Sequence, residues 1–282
     1  MIRATYNKRD AIIYAIGIGS NDLKYVYEHH PEFQPLPTIL LALTLKGDAT
    51  DTQAFPPPCL PVSDIAIAGP VLDGERFLEI YRPLGAPADF RMSSVLRAKV
   101  AKRTGLVTQT ETQLIDTSGA IVARVFSNTF YVGATGNSTS DQPLQLTRPI
   151  PNNARPDFEI DTTTSVNQSV IYRLSGDYNP LHIDPDVASA FGYSRPLTHG
   201  LCTLGIATRI LIEKLMANDA SRLRKLGCRF SKPTYPGNTL RIQIWRGCNG
   251  AAHFRVVDNE TQQVIVDNGH VEWSVSTHSS KL

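Results

Sequence analysis

Tyr172-Arg173-Leu174-Ser175-Gly176-Asp177-Tyr178-Asn179-Pro180-Leu181-His182, followed a little later by Pro196-Leu197-Thr198-His199-Gly200, is the stretch around which the other parts of the 282-residue chain can be arranged. Three polar side chains of different chemistry fall close together in it. Asp177 can accept or carry a proton, Asn179 can donate and accept at once, and His182 titrates near neutrality. A helix-like run stops at Gly176, and Pro180 keeps a helix from restarting before it, so the trio is expected on a tight turn. Turns held between rigid elements are favoured places for chemistry. The competing reading is an ordinary helix stop with a side-chain cap, which the same residue types also suit.

Outward from this turn, the second half of the chain reads as a polar lead-in, a helix around 165–174, the turn, and a short helix at 185–191. A long apolar helix then runs from about His199 to Leu215, and strand-like runs follow at 225–230, 239–245, 251–257 and 263–274. The first half gives a similar order. Asp10 to Gly19 has the helical apolar pattern Ala11, Ile12, Ala15, Ile16, and its Gly17-Ile18-Gly19 lacks the preceding strand that a dinucleotide-binding loop needs, so it reads as a helix end. Pro37 to Leu45 is apolar on all sides, which predicts a buried helix. Ala54 to Pro61 is a proline-rich extended loop. Alternating runs at 76–81, 93–101, 105–115 and 120–132 read as an antiparallel meander.

Between the halves, Gly133 to Pro156 is rich in turn formers and carries four prolines from Pro143 onward. The expected organisation is an N-terminal unit at 1–135, a linker at 136–156 and a C-terminal unit at 157–279. Order of elements alone supports an α+β protein with two similar halves. Residues 1–135 contain no counterpart of the Gly-Asp-x-Asn-Pro-x-x-His string, so one active site per chain is expected, in the second half.

Composition narrows the classes of partner. Apolar content of 41 % with 19 % charged residues is ordinary for a globular protein. Lys and Arg number 28 against 26 Asp and Glu, a difference of +2 that gives no reason to expect nucleic acid. The longest apolar run, Pro37 to Leu45, is far shorter than the roughly 20 residues of a membrane span. Arg3, Lys8, Arg9 and Asp10 interrupt any secretory signal. The four cysteines, Cys59, Cys202, Cys228 and Cys248, form no Cys-x-x-Cys pair and read as free thiols in an intracellular setting. Glu28, His29 and His30 lack a third spaced ligand, so no metal is assigned. Ser280-Lys281-Leu282 is the tripeptide read by the peroxisomal import receptor, which predicts a peroxisomal matrix address.

The long string Tyr172 to Pro185, with the downstream Pro196-Leu197-Thr198-His199-Gly200-Leu201-Cys202, closely resembles the signature of the (R)-specific, second-type enoyl-CoA hydratases of the MaoC-like dehydratase group. Similarity continues through Tyr14-Ala15-Ile16-Gly17-Ile18-Gly19, Leu36-Pro37-Thr38, Phe77 to Leu84 and Lys232 to Leu240, nearly the full length. The resemblance implies a double hot-dog fold, two antiparallel sheets each wrapped around a helix. It implies reversible addition of water to trans-2-enoyl-CoA in fatty-acid β-oxidation, with Asp177 and His182 as the acid–base pair, Asn179 positioning water and carbonyl, and the Gly200 N–H serving a developing oxyanion. It further implies a homodimer, no cofactor beyond the coenzyme A of the substrate, and an N-terminal half that accommodates the acyl tail near Pro37 to Leu45.

Arg229 and Lys232 are candidates for the coenzyme A phosphates, against the competing reading of a solvated strand end. His199, at the start of the long helix, reads as a structural donor rather than a catalytic group. Where family members often carry His before the glycine of Val71-Leu72-Asp73-Gly74, this chain has Asp73. Two rival functions follow from the same fold or the same ligand: an acyl-CoA thioesterase, and a non-catalytic acyl-CoA carrier. No strand-Gly-x-Gly-x-x-Gly-helix unit is present, so the chain is expected to stand alone without an attached dehydrogenase.

Overall fold

The described residues of the computed structural model, 1–57, 65, 69–139, 142–150 and 154–275, place ten strands edge to edge in one antiparallel sheet. The first half supplies β1 (Ile2–Tyr6), α1 (Lys8–Gly17), α2 (Leu23–Val26), α3 (Ile39–Lys46), β2 (Val71–Ile80), β3 (Ala88–Lys102), β4 (Gly105–Asp116) and β5 (Ile121–Val132). The second half supplies β6 (Phe158–Thr163), α4 (Gln168–Tyr172), α5 (Pro185–Ala190), α6 (Gly200–Leu215), β7 (Leu223–Phe230), β8 (Thr239–Arg246), β9 (Ala251–Asp258) and β10 (Gln263–Trp273). Each half is therefore a strand, three helices and four strands. Across the sheet, the order β1-β3-β4-β5-β2 is followed by its mirror, β7-β10-β9-β8-β6. This is the double hot-dog, α+β arrangement, with the two expected sheets fused along a seam where β2 pairs with β7 from Glu75↔Arg229 to Glu79↔Lys225.

Except for the single turn of α2, which falls in a polar and aromatic stretch with no helical pattern, the helices lie where the apolar patterns put them. Asn7 accepts from the Asp10 N–H while the Asp10 carboxylate accepts from the Asn7 N–H, so α1 opens with two of its free donors satisfied reciprocally. Ile39, Leu40, Leu41, Ala42, Leu43 and Leu45 of α3 are all buried, as a helix with no polar face requires. The other central helix, α6, buries eleven of its sixteen residues. Gly205 lets α1 and its cap approach closely, since a Cβ there would stand 2.9 Å from Tyr14 Oη and 2.6 Å from Cγ2 of Ile18, the residue after α1. One continuous core takes Tyr14, Leu40 and Leu43 from the first half and Leu204, Ile210 and Phe254 from the second.

Two departures from the sequence reading have physical causes. β1 and β6, the outermost strands, were not expected as strands; the region of β6 read as a polar lead-in. Each has one free edge and a half-exposed face, so charged residues such as Arg3 and Asp161 break the apolar alternation. The described part of the 136–156 linker is a strap laid over both halves. The Gln109 side chain both donates to the Leu144 carbonyl, at 2.9 Å, and accepts from its N–H, at 2.8 Å. Farther along, the Arg148 N–H donates to Asn268 O at 3.3 Å and Trp245 Nε1 donates to Ala154 O at 2.8 Å. Residues 58–61 of the proline-rich loop, Cys59 among them, and Ser280-Lys281-Leu282 lie outside the described residues.

Candidate active site

The turn is built from its glycine outward. α4 tightens into a 3-10 turn at Arg173–Ser175 and ends at Gly176, whose φ of +125° few L side chains adopt. A Cβ on Gly176 would also fall 2.6 Å from Lys46 Cβ, so the end of α3 backs directly onto the turn. Pro180 then starts a second 3-10 turn, Pro180–His182, which carries the imidazole round to face the carboxylate side. The Asn179 N–H donates to Asp177 Oδ1 at 3.3 Å, and Asn179 Oδ1 accepts from the Leu181 N–H at 3.1 Å. The capping reading is what these bonds show: Asn179 caps the turn through its oxygen, and its NH₂ is not used in that cap.

His182 and His199 are joined by packing. Their rings stack at 3.8 Å between centroids with 29° between planes, and the Tyr172 ring lies 4.9 Å from that of His199, tilted by 53°. His182 Nδ1 lies 3.1 Å from the Leu197 carbonyl, and His199 Nε2 lies 3.1 Å from the Asp177 carbonyl. A carbonyl only accepts, so each of those nitrogens carries the hydrogen. His199 is completely buried and ties the α6 start to the Asp177 backbone, the structural donor expected from its position. The consequence for His182 is a fixed tautomer with a bare Nε2.

Electrostatics push both members of the pair toward neutrality. Burial drives the Asp177 carboxyl up, opposed by His182, by the Asn179 N–H and by the charge on Arg76. Burial drives the His182 imidazole down, opposed by Asp177 and by the Leu197 carbonyl. His199 is held well below the usual imidazole range, by burial first and then by the neighbouring His182. Ligand atoms of Asp177, His182 and His199 lie within 4.8 Å of one another, a spacing that invites thought of a metal ion. The two rings stack rather than converge edge-on, and Nε2 of His199 is spent on a carbonyl.

Gly200 is the first residue of α6, where an N–H has no carbonyl one turn back to bond. The dipole of a sixteen-residue helix adds to its affinity for negative charge. A Cβ on Gly200 would meet the Phe230 ring at 3.2 Å. Arg229 and Lys232, on either side of the Phe230 that ends β7, are both exposed. Beside α3, a cleft lined by Tyr6, Asp10, Ile39, Leu43, Lys46 and Ser175 reaches the turn through Ser175. Sequence reasoning missed Asp73 and Arg76 as neighbours of the site; Arg76 Nε donates to both Asp73 oxygens, at 2.9 and 2.8 Å, and its charge is felt at Asp177.

A duplicated strand–helix–sheet unit with one Asp-Asn-His turn, set against the start of a buried helix, defines a double hot-dog protein of the MaoC-like class. Residues 150–272 match the MaoC like domain, and residues 4–133 match the MFE-2 hydratase 2 N-terminal domain. The chain is 34% identical to enoyl-CoA hydratase 2, peroxisomal, of Arabidopsis thaliana, over 86% of this chain and 82% of that one. It belongs to the enoyl-CoA hydratase 2 family. Peroxisomal multifunctional enzyme type 2 of Mus musculus is 35% identical over 95% of this chain, which spans 36% of the mouse protein's length. The crystal structure of a MaoC-like dehydratase from Phytophthora capsici superposes with a TM-score of 0.93 at 35% identity, covering 99% of this chain and 95% of that one.

Proposed function

We propose that the chain is an enoyl-CoA hydratase that adds water reversibly across the double bond of a trans-2-enoyl-CoA to give the (3R)-3-hydroxyacyl-CoA, as a step of peroxisomal β-oxidation. The observation that carries this reading is the fixed His182 tautomer, with a ring nitrogen of His182 and an Asp177 carboxylate oxygen within 4.8 Å of each other close to the start of α6. In the forward direction the water oxygen bonds to the third carbon while one of its protons passes to the Asp177–His182 pair. Charge moves onto the thioester oxygen, where the Gly200 N–H stabilises it, and the pair then returns a proton to the second carbon. The pair ends as it began, and one water has been added. Asn179 holds the water through its NH₂, and Arg229 and Lys232 meet the coenzyme A phosphates at the exposed end of β7.

In this reading the N-terminal half accommodates the acyl tail near the Pro37 to Leu45 run, which gives that half its task. The same proposal includes a homodimer, no cofactor, and a peroxisomal location that depends on Ser280-Lys281-Leu282. Removing those three residues from a fluorescent fusion is expected to leave it outside peroxisomes. The central experiment adds trans-2-decenoyl-CoA, follows loss of the conjugated double bond, and resolves the product enantiomers. Accumulation of the (3R) product is expected. Steady release of free thiol from a saturated acyl-CoA, without hydration of the enoyl substrate, would identify a thioesterase instead.

A further inference from the structure

β2 contains a register shift at Gly74: Asp73 pairs with Thr129, Glu75 with Asn128 and Arg76 with Ser127. In an unbroken strand, residues three apart point to opposite faces. The extra residue resets the alternation, so Asp73 and Arg76 share one face, as do their partners Thr129 and Ser127. A Cβ on Gly74 would lie 3.0 Å from the Asn128 carbonyl, close enough to press on the bulge. With both groups on that face, Arg76 Nε donates to the two Asp73 oxygens and Arg76 Nη1 donates to Ser127 Oγ.

That face is the inner one. Across the seam Arg76 stands opposite Cys228, which is completely buried, and directly opposed residues share a face. Two residues along β7 on the same face, Phe230 lies against the site of Gly200 at the head of α6. The Arg76 side chain is only 13% exposed. A charged pair turned toward an apolar core costs free energy unless its charges are matched or used. The Asp73 interaction matches Arg76, but leaves open why a bulge should bring both to this place.

We propose that the Asp73–Arg76 pair is a positioning element by which the N-terminal half sets the charge on Asp177 in the C-terminal half. This rests on the hydratase reading for its kinetic consequence only. Around Asp177 stand Tyr172 of α4, His182 of the 3-10 turn, His199 at the start of α6, and, on the inner face that also carries Phe230 against Gly200, Asp73 and Arg76 of β2; Lys46 of α3 backs onto Gly176 but pairs its ammonium with Asp10 at 3.5 Å. Arg76 is the cation of β2 among them and favours the Asp177 carboxylate; Asp73 restrains that effect while fixing the guanidinium in place. Burial raises the Asp73 carboxyl, Arg76 draws it back down, and the charge of Asp177 raises it again.

The test uses the whole chain with Arg76→Gln, Arg76→Lys and Asp73→Asn. The acidic limb of the kcat/KM profile for trans-2-decenoyl-CoA is expected to move up by about one pH unit in Arg76→Gln and down by a similar amount in Asp73→Asn, with Arg76→Lys near the parent. Opposite displacements are not what loosened packing produces. Titration of the Asp177 carboxyl carbon by NMR, assigned through its loss in Asp177→Asn, is expected to show the same two displacements without any turnover. If the parent chain fails to hydrate the substrate, the hydratase reading falls and the carboxyl titration still decides this one. Displacements of the same sign in both variants, or none beyond about 0.2 unit, would overturn it.

Discussion

Burial raises the Asp177 carboxyl and lowers the His182 imidazole, so the fold favours a neutral form at each position while the proposed chemistry needs a proton to move between them. The sign of the stability effect follows from linkage. With the folded Asp177 raised above the roughly 3.9 of an unfolded Asp, the folded chain binds more protons in that window. Its stabilising contribution is present below the unfolded value and is lost as pH rises through the folded one, so at neutral pH an ionised Asp177 costs stability. Asp177→Asn is therefore expected to reduce turnover by roughly 10²- to 10⁴-fold while the melting temperature at pH 7 stays level or rises. A clear fall in melting temperature would make Asp177 a structural cap whose loss of activity is indirect. His182 and His199 carry the opposite sign: both are depressed, so the stability they give is complete above about 6.5 and is lost as pH falls through their folded values. Acid titration of thermal stability is expected to show a decline beginning below pH 6.5 that is shallower in His199→Gln, which retains a donor for the Asp177 carbonyl.

Two glycines hold the elements at the distances the site needs, and their substitutions should fail in different ways. Gly176→Ala meets both an unfavourable φ and the Lys46 side chain and backbone, so it is expected to destabilise by about 1–3 kcal/mol or more, read from urea denaturation, with activity lost through the fold. Gly200→Val presses on the Phe230 ring at the exit of β7 and crowds the start of α6. It should leave the denaturation midpoint near the parent and lower turnover by on the order of 10²-fold, and unchanged turnover would move the oxyanion donor to another amide. The elements themselves differ in how far the sequence reveals them. α3, α6 and the long strands announce themselves by continuous or alternating apolar residues, and Gly176 with Pro180 fixes the turn in the sequence alone. β1 and β6 do not, because an edge strand needs only one buried face and tolerates charge on the other. The His182–His199 stack joins residues seventeen apart through the fold, and the Asp73–Arg76 pair sits three apart in a strand, a spacing that argues against contact until Gly74 resets the face.

At the scale of the whole molecule, the repeated plan suggests two units, yet the physical boundaries do not follow the repeat. β2 and β7 would each be an unpaired edge if the halves were separate, since the seam between them supplies the hydrogen bonds of five register pairs. The core is likewise shared: Tyr14 of α1 and Ile18 just past its end lie against Gly205 of α6, Gly176 rests on the end of α3, and the strap around Leu144 and Ala154 is bonded to strands of both halves. Each fully buried Leu or Ile contributes roughly 1.5–3 kcal/mol, so removing one half would expose apolar area worth far more than the usual 5–15 kcal/mol of net stability. The chain is therefore expected to unfold in one step. Calorimetry should give a single peak with equal calorimetric and van't Hoff enthalpies, and near-ultraviolet dichroism and backbone dichroism should share one midpoint. Residues 1–135 and 157–279 produced separately should each lack that cooperative transition, whereas two resolved transitions in the intact chain would mean that the seam is a docking contact between independently stable halves, and that Asp177 could be studied without the strand that carries Arg76.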